Sequence, residues 1–71
     1  MKTEERSKRI TSAPVYLRNT YEGLVFRSTT EGRFFARWPG ESEYEIKRPS
    51  NILTDTLLEW NEITEEEYER F

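Results

Sequence analysis

The chain has 71 residues, no cysteine, no histidine and a net charge of −3. That length fits one small domain, which buries only roughly 60% of the surface its unfolded chain exposes. The missing residues exclude a disulfide framework and any zinc site built from thiolate or imidazole. Stability must then come from packed side chains, chiefly the two Trp, four Tyr and four Phe, since a large apolar side chain contributes roughly 1.5–3 kcal/mol when fully buried.

Charge is distributed unevenly along the chain. Residues 1–11 hold Lys2, Arg6, Lys8 and Arg9 against Glu4 and Glu5, whereas residues 49–71 hold Arg70 alone against Asp55, Glu59, Glu62, Glu65, Glu66, Glu67 and Glu69. Such asymmetry marks either a partner-binding surface or an acidic segment packed on its own basic sheet. The longest apolar runs, such as Leu24 to Phe26, have three residues, too few to span a bilayer or to form a signal-peptide core. A cytoplasmic protein is the expectation.

Residues 1–11 are polar and predict a flexible arm, with at most a helical turn after Thr3; residues 12–71 form the domain. Ala13 to Arg18 is β-prone, and Pro14 confines it to the start or edge of a sheet because proline cannot donate to a ladder. Asn19 and Thr20 make a turn. Gly23 to Ser28 and Arg33 to Trp38 are the next two strands, joined through Thr29-Thr30-Glu31-Gly32, where Gly32 can take a positive φ. Pro39-Gly40 turns the chain again into a third alternating run, Tyr44 to Arg48.

Side chains alternate between faces along a strand, so one apolar face predicts a register. Setting Leu24, Phe26, Phe34, Ala36, Trp38, Tyr44 and Ile46 on that face pairs Phe26 with Phe34, Leu24 with Ala36, Trp38 with Tyr44 and Ala36 with Ile46. The loops 29–31 and 39–43 have ordinary hairpin lengths.

Pro49 should end the last strand. Beyond it Ile52, Leu53, Leu57 and Trp60 lie within about 140° on a helix of 100° per residue, with Leu58 outside the arc. That favours a helix over a strand at 56–61. Thr64-Glu-Glu-Glu67 is a capping box opening a further helical turn through Tyr68 and Phe71. The run from Leu57-Leu58 to Glu62-Ile63-Thr64-Glu65-Glu66-Glu67-Tyr68 resembles the short helix-turn-helix tails that end many bacterial proteins, with Asn61 in place of their turn glycine. The resemblance implies two C-terminal helices and no activity.

Catalytic chemistry is not expected. Without histidine the usual nucleophilic triads are unavailable, and no spacing pairs a serine with a lysine. The acids between 59 and 67 lack calcium-loop spacing and read as a solvated helix face. Three widely separated glycines form no phosphate loop. No metal and no cofactor are predicted, and the chain is not expected to be an enzyme.

What remains is the other face of the meander, displaying Val25, Arg27, Arg33, Phe35, Arg37 and Lys47 beside Glu45. In the predicted register Phe35 lies between Val25 and Lys47, Arg27 opposes Arg33, and Arg37 opposes Glu45. An aromatic ringed by arginine on a sheet can stack a base and meet phosphate, which makes single-stranded nucleic acid the alternative ligand. An acidic overall balance argues against it. The expected fold is α+β: a three- to four-stranded antiparallel meander with one or two short C-terminal helices, or else a small all-β barrel with a terminal helical turn. The expected role is a non-catalytic interaction module or regulatory subunit binding another protein, as a monomer or weak homodimer, away from membranes.

Overall fold

The computed structural model describes residues 3–48 and 50–71. Five antiparallel strands form one open sheet, β1 (Val15–Asn19), β2 (Leu24–Ser28), β3 (Phe34–Arg37), β4 (Tyr44–Ile46) and β5 (Glu62–Ile63). Their spatial order is β4-β3-β2-β1-β5. Three helices accompany them: α1 (Thr3–Ser12), α2 (Asn51–Glu59) and α3 (Glu65–Glu69). The α+β meander is therefore the architecture, and the sheet does not close into a barrel. Pro49, expected to end β4, lies outside the described residues, as do residues 1 and 2.

The helices lie on opposite faces. The side chains of Leu24, Phe26 and Ala36 pack with Trp38, Ile46, Ile52 and Leu53, which puts α2 on that face. On the other face Tyr68 of α3 meets Tyr16 of β1, ring centroids 5.3 Å apart. Strand β2 is thus covered on both sides, and Val25 and Leu24 are both fully buried. The all-apolar run Leu24-Val25-Phe26 follows from this, because a strand buried on both faces cannot alternate with polar residues.

The two predicted faces are real, but their pairing is not as expected. Phe26 opposes Ala36, Ser28 opposes Phe34 and Val25 opposes Arg37; Phe34 opposes Ile46 and Ala36 opposes Tyr44. Each hairpin is displaced by two residues, which preserves the faces because the side-chain period is two. The turns explain the choice. Thr29 N–H donates to the Arg33 carbonyl at 2.9 Å and the Thr29 hydroxyl accepts from Arg33 N–H at 3.1 Å. The loop therefore closes around residues 30–32, with Gly32 at φ +87° in the left-handed position of a three-residue hairpin. In the next turn Glu41 N–H donates to the Trp38 carbonyl at 3.0 Å, across Pro39 and a Gly40 at φ +73°, a tight β-turn inside the loop expected at 39–43.

That shift moves Tyr44 outward. It was expected in the core and is 47% exposed at the edge of the sheet. The buried set instead includes Val15, Leu17, Val25 and Tyr68. The N-terminal segment, expected as an arm with one helical turn, forms a ten-residue helix. Arg6 holds it to the end of α2 by donating Nη1 to the carbonyls of Leu57 (3.2 Å) and Leu58 (2.9 Å), with its guanidinium 5.6 Å from the Trp60 ring.

The helix expected after residue 50 is present, and Leu58 lies on its exposed side. Its cap is Ser50, whose hydroxyl accepts from Leu53 N–H, the usual way of satisfying a free helix-start donor. Trp60 ends it in a left-handed conformation, φ 51°. The capping box at Thr64 and Glu67 also forms. Between the two helices, however, residues 62–63 pair with β1 as Tyr16↔Ile63 and Leu17↔Glu62. The chain thus passes round the sheet edge from one face to the other.

Candidate functional site

Strands β2 and β3 carry the arginine-rich face predicted from the sequence, with a different internal arrangement. Phe35 opposes Arg27 on one side and Glu45 on the other. The Arg27 guanidinium lies 4.2 Å from the Phe35 ring centroid and that of Arg33 lies 5.3 Å away. Phe35 is half-buried beneath them. Cations over an aromatic face are attracted by its quadrupole.

Both guanidinium groups are already engaged by carboxylates of the same chain. Arg27 makes a bidentate pair with Glu43, at 2.6 and 3.2 Å, and Arg33 makes one with Glu45, both contacts at 2.8 Å. Hydrogen bonds from these arginines hold the Glu43 and Glu45 carboxyls below the usual carboxylate range. Arg37 donates Nη1 to the carbonyls of Tyr68 (3.0 Å) and Glu69 (2.9 Å), and Nε to that of Glu41 (2.9 Å). It serves the end of α3, where carbonyls lack helical partners.

The remaining predicted residues are placed apart. Val25 is buried under α3, and Lys47 is exposed beyond the end of β4. The structure therefore brings together Arg27, Arg33 and Phe35, assigns Arg37 to α3, and leaves Val25 and Lys47 outside the cluster. Sequence reasoning missed Glu43, Tyr16 and Tyr68. The Tyr68 hydroxyl donates to Glu43 at 2.7 Å, and the Tyr16 hydroxyl donates to Glu65 at 2.7 Å. Burial, reinforced by these acceptors, pushes the Tyr68 hydroxyl well up and that of Tyr16 to about 12. The alternation of Glu43 with Glu45 across from Arg27 and Arg33 was a usable signal for the ion pairs. Tyr68 carried none, since its place depends on α3 crossing to the second face.

Tyr16, Arg27, Arg37, Glu43 and Tyr68 line an open polar cleft of about 470 Å³ with Ser42 and Glu69. Its donors and acceptors are matched to one another, so an incoming phosphate would have to displace Glu43 from Arg27 and main-chain carbonyls from Arg37. The acidic C-terminal segment does pack against the sheet, though its main-chain carbonyls and Tyr68, rather than its carboxylates, meet Arg37 and Glu43. Among the described residues no group of three or more acids is placed to hold a metal ion, and no helix is long and apolar enough to cross a membrane.

A second surface lies on the α2 side. There a groove of about 280 Å³ runs between α1 and α2, lined by Ile10, Leu57, Leu58 and Trp60 among others. The tip of the first hairpin stands next to it, because Thr20 donates through its hydroxyl to Glu59 at 2.6 Å.

No protein-family model matches the sequence, and no curated protein matches it. Among solved structures the chain is similar to one in the crystal structure of the complex between the Type VI effector Tas1 and its immunity protein. The superposition has a TM-score of 0.76 at 26% sequence identity and covers 86% of this chain and 84% of that one. The two chains are therefore of nearly equal length and share a fold across most of it. A small α+β sheet of this kind thus occurs in an assembly of two proteins.

Proposed function

We propose that this chain is a small, non-catalytic protein that binds and neutralises an effector protein, in the manner of an immunity protein. The observation that supports the reading is the fold shared with a chain of the effector–immunity complex. Of the two components of such a complex, a chain of this size fits the immunity protein better than the effector. The chemistry of the chain points the same way: no histidine, carboxylates already bound to both arginines over Phe35, and acids in excess. The cytoplasm is the compartment we assign, since the chain has no cysteine to cross-link and no apolar run longer than three residues.

The test is affinity purification of the tagged chain from its native host, followed by transfer of both genes to a heterologous host. The expected result is one stoichiometric partner that arrests growth when expressed alone and ceases to do so when this chain is co-expressed. Recovery of the chain alone, or of a partner whose toxicity it does not reduce, would sink the proposal. A titration with labelled oligonucleotide at low salt separates the alternative, because phosphate contacts strengthen there; no binding is expected.

A further inference from the structure

Tyr21 and Leu58 are the barest large apolar side chains among the described residues, 92% and 68% exposed. They flank one hydrogen bond. Thr20, adjacent to Tyr21, donates to Glu59, adjacent to Leu58. Asn19 fixes the same hairpin tip to α2 by donating Nδ2 to the Thr56 hydroxyl at 2.9 Å. Both apolar groups are therefore carried on one rigid support rather than on independent loops.

One flank of this pair is acidic, whereas Arg6 lies on the other. Asp55, Leu58 and Glu59 share a side of α2 by their spacing of three and four residues, and all are exposed, as is Glu22 at the hairpin tip. Neither Asp55 nor Glu22 has an ion-pair partner among the described residues. On its other flank Leu58 borders the groove formed with Ile10, Leu57 and Trp60. On the arginine face, by contrast, Arg27 and Arg33 are each paired with a carboxylate of the same chain. Unpaired acids therefore stand beside the two protruding apolar side chains.

We propose that Tyr21, Glu22, Asp55, Leu58 and Glu59 form the surface that docks the effector. The partner this fits presents lysines or arginines around an apolar depression that receives the Tyr21 ring and the Leu58 side chain. The inference rests on the effector-binding reading above and names its surface. Tyrosine on a rigid support, ringed by charge, is a common anchor of protein interfaces, and opposite charge around it steers the encounter.

A photo-crosslinking amino acid placed in turn at Tyr21, Leu58, Phe35 and Tyr44, in cells that also make the effector, tests the assignment. Adducts of effector mass are expected from positions 21 and 58 and not from 35 or 44. With the purified effector, Tyr21→Ala and Leu58→Ala should each weaken binding at least tenfold while leaving the thermal midpoint of the free chain unchanged. Asp55→Lys should slow association and reduce its dependence on salt. Adducts from 35 or 44 but not from 21 or 58 overturn the surface and leave the effector-binding reading intact. Absence of adducts from all four positions, with growth arrest unrelieved, overturns both.

Discussion

The Asn19 side chain ties the first hairpin to α2. It is 2% exposed; its amide donates to Thr56, and its carbonyl oxygen accepts from Glu22 N–H at 2.7 Å, shaping the hairpin tip. Thr56, itself fully buried, donates a hydroxyl hydrogen bond to the Ile52 carbonyl at 2.7 Å. Removing one member leaves buried donors and acceptors without partners, which costs more than the bond itself contributes. Asn19→Ala is expected to lower stability by about 2 kcal/mol, read from urea unfolding followed by circular dichroism. Thr30→Ala, exposed in the next turn, should change it by less than about 0.5 kcal/mol. The sequence identified Asn19 only as a turn residue. Its burial depends on a helix more than thirty residues away, and no local pattern encodes that distance.

Among the elements, α3 depends most on a single side chain. It is five residues long, far below the length at which a helix is stable alone. Its start is satisfied by the Thr64–Glu67 capping box and its end by Arg37. Arg37→Gln should therefore raise hydrogen exchange at the amides of Tyr68, Glu69 and Arg70 while leaving those of β1 and β2 protected. Equal loss of protection throughout would show that α3 is not a separable unit. The capping box was legible because it is local, and so were the two faces of the meander, since alternation alone defines them. The strand pairing was not, because a slip of two residues keeps every side chain on its face. Turn hydrogen bonds at Thr29 and Glu41 decide between registers. Two residues, as in β5, are too few to show alternation. For α1 the polar composition concealed a helix whose anchor, Arg6, works through main-chain carbonyls of α2.

At the scale of the whole molecule, the ion pairs set the response to acid. Glu43, Glu45 and Glu67 all hold their protons less readily in the folded chain: Arg27 bonds the first, Arg33 the second, and the Thr64 amide and hydroxyl the third. A carboxyl lowered by folding adds stability above its unfolded pKa and loses it as pH falls through the folded value. Stability should thus be flat near neutrality and decline from pH 4.5 downward, the ordinary value of these groups. Glu43→Gln should be less stable at neutral pH and show a shallower acid decline in urea midpoints. At the alkaline end the sign reverses. Tyr16, raised to about 12 by burial and Glu65, favours the folded chain below pH 10 and ceases to do so as pH rises toward 12.

The passage of the chain round the sheet edge has a kinetic consequence. The contacts among β1, β2, β3 and β4 join neighbours in sequence through short turns, whereas β5 must reach Tyr16 and Leu17 from residues 62 and 63. Closing long loops is the slow part of assembling a small sheet. The meander is thus expected to collapse ahead of the segment that wraps it. Trp38 sits in the part that forms early, against Leu24 and Phe26. Trp60 sits at the seam with α1, in the part that arrives late. In stopped-flow refolding of the single-tryptophan variants Trp60→Phe and Trp38→Phe, the remaining Trp38 should report collapse and the remaining Trp60 a slower closing of the wrap.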